Sequence, residues 1–198
     1  MMIRQVIFDI GGVMLEWTPE AYIKELFPEK PPLDFLQVVY SLFWVGYDGG
    51  LYSREELLQQ LPEHFDKDRF SHFLNRLASV LRPIPGMADL FLDLKRKGYE
   101  IYILSNMPRE MAHELNELHP FLKEAHGGVF SYEVNSIKPM PHIYEELLKK
   151  YPIEPAKAVF IDDVPVNLRT AKSMGIRGIH FQNPDQVKQA LADMGVEL

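Results

Sequence analysis

The chain has 198 residues, of which 46% are hydrophobic and 25% are charged, and its formal net charge is −7. This composition is typical of a soluble globular protein with one domain and a smaller inserted module. The negative charge argues against nucleic acid or anionic lipid as a partner, and no apolar run approaches the ~20 residues of a membrane span. The absence of cysteine excludes disulfides, thiolate zinc sites and cysteine nucleophiles. We expect a cytoplasmic protein, either a monomer or a homodimer.

Short apolar segments, each too short for a helix, recur along the chain. Their hydrophobicity is continuous rather than alternating, which indicates strands buried on both faces, as in a parallel sheet. Helical patterns lie between them, and this alternation predicts an α/β fold. The predicted strands are Ile3–Phe8, Ile101–Leu104, Val159–Ile161, Gly178–Phe181 and, on a fainter pattern, Val129–Phe130. The predicted helices between them are Met87–Lys97, Arg109–Leu118, His142–Lys150 and Asn167–Met174.

The stretch after the first strand breaks this alternation, because it contains helical patterns and no strand pattern. Prolines and glycines punctuate it, and Pro83 with Pro85–Gly86 marks the return of the chain. We therefore predict an inserted helical module at residues 17–82, with residues 1–16 and 83–198 forming the α/β core. The predicted helices of the module are Ala21–Leu26, Leu33–Trp44, Ser53–Leu61 and Arg69–Leu81.

Polar residues follow two of the predicted strands directly. Asp9 comes after the first strand and precedes two glycines, which allow a tight backbone turn. Ser105 and Asn106 follow the second strand, where a hydroxyl group could donate to a phosphate oxygen. Ligands of open α/β sheets bind at the carboxyl ends of the strands, so these residues are candidates for a site. A turn or cap would explain each of them taken alone.

Two further segments carry charge. Lys138 lies in a loop that prolines stiffen, and Asp162 and Asp163 end a hydrophobic strand. Adjacent carboxylates repel each other unless a cation lies between them. Carboxylate oxygens are suitable ligands for Mg²⁺. The alternatives are a solvated lysine and an N-cap for the helix that begins near Asn167. The acid pair favours a magnesium site.

Together the four motifs supply a carboxylate, a hydroxyl, a lysine and an acid pair in a fixed order. In this order they resemble the motifs of the haloacid dehalogenase-like hydrolase superfamily, and the resemblance extends from Ile3 to about Phe181. It implies a Rossmann-like parallel sheet with strand order 5-4-1-2-3. It also implies that the inserted helices form the small helical cap of that superfamily.

The resemblance assigns catalytic roles to four residues. Asp9 would attack phosphorus and become an aspartyl phosphate, which divides one difficult displacement into two easier ones. Ser105 would bind the transferring phosphoryl group, with Asn106 in assistance. Lys138 would pair with both the phosphoryl group and Asp9, and would thereby reduce the repulsion between two anions.

The resemblance also implies a set of ligands for Mg²⁺. Asp9 and Asp163 would each supply a carboxylate oxygen, and Gly11 would supply its backbone carbonyl oxygen. Asp162 would support the site or bind the ion through water. We therefore expect a magnesium-dependent phosphatase that acts on a small phosphorylated metabolite, such as a sugar phosphate.

Gly11 departs from the pattern of most phosphatases in the superfamily, which have a second aspartate there. That aspartate protonates the leaving group and then activates water, and such a group typically contributes about 10²–10⁴ in rate. A subset reads Asp-Leu-Gly-Asn or Asp-Leu-Gly-Gly at this point, as bacterial sugar-phosphate phosphatases of the glucose-1-phosphatase type do. Residues 43–55 also resemble their cap, loosely.

Two alternative functions remain open. Loss of the acid would also suit a catalytically weak or inactive relative that binds a phosphorylated metabolite. A metal-independent 2-haloacid dehalogenase would use Asp9 to attack carbon, but an acid pair without a cation would be costly. Trp17, Trp44 and Tyr47 could form an apolar wall that faces the substrate, or the core of the helical module.

Overall fold

The computed structural model describes residues 2–198 and contains one five-stranded sheet. All neighbouring strands are parallel, and their order is β3-β2-β1-β4-β5. This is the predicted order read from the opposite edge, so the predicted α/β fold is confirmed. The strands are β1 (Gln5–Phe8), β2 (Glu100–Ser105), β3 (Gly127–Phe130), β4 (Ala158–Asp162) and β5 (Arg177–His180).

Helices connect the strands and cover the sheet. Those that follow β1 are α1 (Pro19–Leu26), α2 (Phe35–Val39), α3 (Leu42–Asp48), α4 (Arg54–Gln60), α5 (Lys67–Val80) and α6 (Met87–Arg96). Those that follow β2 and β3 are α7 (Arg109–Leu118), α8 (Ser131–Val134) and α9 (Pro141–Lys150), and those that follow β4 and β5 are α10 (Pro165–Ser173) and α11 (Pro184–Asp193). Short 3₁₀ helices lie at Pro120–Glu124 and Pro155–Lys157. No helix within residues 2–198 is long and apolar enough to cross a membrane.

The sheet is buried on both faces, as the continuous hydrophobicity of its strands predicts. In β1, Val6 and Phe8 belong to one hydrophobic cluster and Ile7 to another, and all three are fully buried. Side chains of α6, α7 and α11 complete the first cluster, and side chains of α9 and α10 complete the second. Helices therefore pack against both faces of the sheet.

The chain segments that enter and leave the helical stretch run side by side. The Glu16 N–H donates to the Arg82 carbonyl oxygen at 2.8 Å, and the Ile84 N–H donates to the Met14 carbonyl oxygen at 2.9 Å. The five helices α1–α5 lie between these two contacts in sequence. We propose that residues 17–82 form the separate module that the sequence predicts.

The single predicted helix Leu33–Trp44 is two helices, α2 and α3. Ser41 is extended, with φ −106° and ψ 173°, and its Oγ accepts a hydrogen bond from the Phe43 N–H, so it caps the start of α3. A serine in this position competes with the helical hydrogen bonds of the backbone. The break turns α3 so that its last residues reach the carboxyl edge of the sheet.

Candidate active site

The strand order brings the separated motifs together at one edge of the sheet. β1 lies between β2 and β4, and Phe8 is in register with Ile103 of β2 and with Ile161 of β4. Asp9 is the next residue after β1, while Ser105 and Asp162 are the last residues of β2 and β4. Because parallel strands end at a common edge, these three side chains meet there.

Asp9 is held through one of its two carboxylate oxygens. Its Oδ1 accepts hydrogen bonds from the Ile10 N–H at 2.7 Å and from Ser105 Oγ at 2.8 Å, and it lies 2.8 Å from Lys138 Nζ. Within residues 2–198, no hydrogen bond is made to Oδ2. The side chain is therefore fixed in orientation, and one oxygen is left for a ligand.

Lys138 is buried between two carboxylates. Its Nζ lies 2.8 Å from Asp9 Oδ1 and 2.8 Å from Asp162 Oδ2, and only 4% of the residue is exposed. Burial favours the neutral amine, but the charges of Asp9 and Asp162 outweigh it and raise the pKa of Lys138. Lys138 is therefore a charged ammonium group at neutral pH.

Asn106 holds the backbone of Lys138 in place. Its Nδ2 donates to the Lys138 carbonyl oxygen at 3.0 Å, and its Oδ1 accepts from the Lys138 N–H at 2.6 Å. Since both ends of the amide are used, Asn106 fixes the loop that presents the ammonium group.

The two adjacent acids have different surroundings. Asp162 is fully buried, and its oxygens accept hydrogen bonds from the Val164 N–H at 2.7 Å and from Asn167 Nδ2 at 3.0 Å, in addition to the contact with Lys138. Asp163 is partly exposed and lines the cavity of the site. Asp162 is thus occupied by protein groups, whereas Asp163 is open to a ligand.

Asp9, Asp162 and Asp163 form a cluster in which one carboxylate oxygen of each lies within 4.8 Å of the others. Burial, together with the charge of Asp162, raises the pKa of Asp9 to about 6 and also raises the pKa of Asp163. Three carboxylates exceed the single positive charge of Lys138, so a hard divalent cation fits this donor set. Gly11 lines the same cavity.

The two glycines that follow Ile10 differ in the space around them. Gly12 has φ +77°, and a Cβ there would lie 2.4 Å from Asp163 Oδ2, so another residue would be strained and would displace the Asp163 carboxylate. A Cβ on Gly11 would lie 3.9 Å from its nearest neighbour, the Trp17 Cβ. Position 11 therefore has room for a Cβ, although the chain has no side chain there.

We call Asp9, Lys138, Asp162 and Asp163 the charged cluster, and residues 17–82 the helical segment. A cavity of about 230 Å³ extends from the charged cluster towards the helical segment. One side of it is lined by Asp9, Ser105, Lys138 and Asp163. Apolar side chains also line it, and we call them the apolar wall; they are Trp17, Val39, Trp44, Leu81, Met107 and Met111. Two of the three predicted aromatics therefore face the cavity, while Tyr47 is 1% exposed and packs in the core.

Asp48, which the sequence motifs do not single out, also lines the cavity. It is the last residue of α3, four residues after Trp44, so both side chains are on one face of the helix. It is half-buried. Burial and then the charge of Asp9 raise the pKa of Asp48 to about 8, while Lys138 and a hydrogen bond from the Trp44 side chain act against the rise.

A buried hydroxyl joins Asp48 to the sheet edge. Ser131 Oγ donates to the Asp48 carbonyl oxygen and accepts a hydrogen bond from the Met107 N–H at 2.8 Å. Ser131 is fully buried at the start of α8. The end of α3 is therefore fixed relative to the loop that follows β2.

Most of the sequence matches a known family. A family model of haloacid dehalogenase-like hydrolases matches residues 3–175. The chain belongs to this family. The resemblance inferred from the four motifs is thereby confirmed, and the chain is a hydrolase.

Relatives with this family's sequence include phosphatases. The chain is 26% identical to the sesquiterpene phosphatase astK of Aspergillus oryzae, over 90% of the chain and 89% of the relative. It is also 26% identical to the D-ribitol-5-phosphate phosphatase of Bacteroides thetaiotaomicron, over 96% of the chain and 97% of the relative. A family enzyme of Bacteroides thetaiotaomicron, solved with magnesium and inorganic phosphate, has a TM-score of 0.72 at 20% identity over 91% of this chain and 95% of that one.

Gly12→Ala is expected to destabilise the fold, whereas Gly11→Ala is the matched control that should not. A left-handed backbone costs a residue with a Cβ about 1–2 kcal/mol, and the new Cβ would also displace Asp163. Urea unfolding measures both variants. Equal stability of the two variants would contradict the packing of Gly12 against Asp163.

The free energy of unfolding of the metal-free protein is expected to fall as the pH rises from about 5 to 8. The pKa of Asp48, about 8, and that of Asp9, about 6, lie above their ordinary value of 3.8, so the folded chain binds these protons more tightly than the unfolded chain. Asp48→Asn removes the contribution of Asp48, so the free energy of unfolding should fall less with pH in that variant. Urea unfolding in chelator at both pH values measures it, and an unchanged slope would contradict the buried environment of Asp48. Asp34→Asn, at an exposed site, is the control.

Proposed function

We propose that the chain is a magnesium-dependent phosphatase that forms an aspartyl phosphate on Asp9. The observation that carries the proposal is the position of Lys138 Nζ, 2.8 Å from Asp9 Oδ1 and 2.8 Å from Asp162 Oδ2, beside the three-carboxylate cluster. Charge neutralisation and positioning are the main requirements of phosphoryl transfer. The phosphatases among the relatives support the same reaction class.

The side chains around Asp9 define what each would do. Asp9 would attack phosphorus, because Ser105, Lys138 and the Ile10 N–H already hold its carboxylate in one orientation. Ser105 Oγ and Lys138 Nζ would also donate to the phosphoryl oxygens, since both lie at the carboxylate that receives the group. Asp162 would hold Lys138 in position from the opposite side.

The donor set fits Mg²⁺ at the same place. Asp9 and Asp163 would hold the ion through carboxylate oxygens, together with the Gly11 carbonyl oxygen, while Asp162 is occupied by Lys138 and Asn167. When bound, the ion supplies positive charge that neutralises the phosphoryl oxygens. The related structure that contains magnesium and inorganic phosphate supports this assignment.

The apolar wall supports a substrate whose alcohol carries an apolar or aromatic group. The phosphoryl group would lie at the charged side of the cavity, so the rest of the substrate would contact the wall. Apolar contact area is stabilising in proportion to the surface removed from water, about 25 cal/mol per Å². The range of expected substrates then includes phosphate esters of such alcohols as well as sugar phosphates.

A second candidate is a relative that binds a phosphorylated metabolite without turnover. Gly11 favours it, because the position supplies no side chain for proton transfer. The two candidates differ in whether phosphate is released in a reaction that depends on Asp9.

Asp9→Asn is expected to lower phosphate release by at least ~10³-fold, as loss of a nucleophile does. Chelator should have the same effect on the wild type, and added Mg²⁺ should restore its activity. Malachite-green detection of phosphate from a panel of monoesters measures both effects, with Asp34→Asn as the control. Phosphate release that survives both changes would exclude the proposal, and tight phosphate binding without release would favour the second candidate.

Monoesters of apolar or aromatic alcohols are expected to have higher kcat/KM than sugar phosphates of similar size. Met111→Ala should reduce that advantage about tenfold, since a missing methylene contact in an apolar pocket is worth about 10–200-fold. The ratio of kcat/KM for the two classes, measured in the wild type and in the variant, is the readout. A preference for sugar phosphates that Met111→Ala leaves unchanged would contradict the role of the wall.

A further inference from the structure

The reaction on Asp9 needs a proton for the departing alcohol, and the loop around Asp9 does not provide one. Gly11 has no side chain, although a Cβ there would meet nothing closer than 3.9 Å. An unprotonated alkoxide is a poor leaving group, so a positioned acid contributes about 10²–10⁴ in rate. The acid must therefore come from another residue that lines the cavity.

Few of the cavity's side chains within residues 2–198 can transfer a proton. They are Asp9, Tyr40, Asp48, Lys138 and Asp163. Asp9, Lys138 and Asp163 belong to the charged cluster that would hold the phosphoryl group and the ion. Tyr40 is 64% exposed, and its hydroxyl donates to Glu20 at 2.8 Å. Asp48 is the remaining carboxyl group.

The position of Asp48 suits a contact with the alcohol part of a substrate. Asp48 and Trp44 are on the same face of α3, and Trp44 belongs to the apolar wall. Ser131 Oγ donates to the carbonyl oxygen of Asp48, so the end of α3 that carries the carboxyl group is held in place. Asp48 thus shares one cavity with Asp9 and with the apolar wall, which the phosphoryl group and the alcohol of a substrate would contact.

We infer that Asp48 is the general acid and base of the reaction, acting from the helical segment in place of the carboxyl group that Gly11 lacks. This inference rests on the proposed phosphatase function. It assigns a catalytic role to a residue outside all four sequence motifs.

The two steps balance in protons and bonds. In the first, an Asp9 oxygen bonds to phosphorus while the bond from phosphorus to the alcohol oxygen breaks, and Asp48 gives its proton to that oxygen. In the second, water attacks phosphorus and gives a proton to the Asp48 carboxylate, while the bond from phosphorus to Asp9 breaks. Inorganic phosphate and the alcohol are released, and Asp48 is protonated again.

The environment of Asp48 agrees with the first step. Burial, followed by the negative charge of Asp9, raises the pKa of Asp48 to about 8. The carboxyl group therefore holds a proton at neutral pH, before the alcohol leaves.

The first test compares leaving groups in Asp48→Asn. With an alkyl phosphate, whose alcohol must be protonated, formation of the phosphoenzyme should slow by about 10²–10⁴-fold. With 4-nitrophenyl phosphate, whose phenolate leaves without a proton, this step should change little. A structural role would slow both substrates alike. Circular dichroism and inhibition by inorganic phosphate check that the variant folds and binds, and Asp48→Ser is a second neutral replacement.

The second test follows the intermediate. Without Asp48 to activate water, Asp48→Asn mixed with 4-nitrophenyl phosphate should give a burst of 4-nitrophenol followed by slow turnover. The aspartyl phosphate should accumulate and be visible by intact-protein mass spectrometry, and Asp9→Asn added to the variant should abolish it. Absence of a burst, with turnover as in the wild type, would overturn the inference.

The third test restores a carboxyl group at position 11. The double variant with Gly11→Asp and Asp48→Asn should hydrolyse an alkyl phosphate at least tenfold faster than Asp48→Asn alone, because position 11 has room for a Cβ. Asp34→Asn is the matched control and should behave as the wild type does. Full wild-type activity in Asp48→Asn overturns only the role of Asp48, whereas a wild type with no Asp9-dependent hydrolysis overturns the proposed function and this inference together.

Discussion

A buried ammonium group between two carboxylates organises the carboxyl edge of the sheet. Lys138 contacts Asp9 after β1 and Asp162 at the end of β4, so one cation joins two neighbouring strands. Removal of one partner from such a buried group costs about 3–5 kcal/mol, because a charge is left uncompensated. Asn106 binds the backbone of Lys138 from the side of β2. The geometry of Asp9 thus depends on three strands and one loop.

The sheet and the charged cluster could be predicted from the sequence because their signals are local. Strands buried on both faces are continuous apolar runs, and the acids and the serine at their ends are adjacent to those runs in sequence. The strand pattern in the sequence is faintest at β3. A Cβ on Gly127 would lie 2.3 Å from the Tyr151 ring, and one on Gly128 would lie 2.8 Å from the Ile103 carbonyl oxygen. Close packing replaces β-branched residues with glycine there, which weakens the strand pattern.

The features that could not be predicted depend on contacts between distant segments. A continuous helical pattern at residues 33–44 does not reveal that Ser41 caps a new helix. Asp48 is one of many acids in an acidic chain. It lines the cavity with Asp9 and the apolar wall only because α3 ends there. The wall itself consists of side chains from α2, α3, α7, the chain before α1 and the segments after α5 and β2. No motif of adjacent residues could show that these side chains share one cavity.

The hydroxyl of Ser131 limits which changes of helix length leave Asp48 in place. It contacts the carbonyl oxygen of Asp48 and the N–H of Met107, so one side chain holds both α3 and the loop after β2. α3 also packs against α2 and α4, so the length of those two helices bears on where α3 ends. A change in the length of the helices on either side of α3 would therefore have to keep the contact with Ser131 for Asp48 to stay at the cavity.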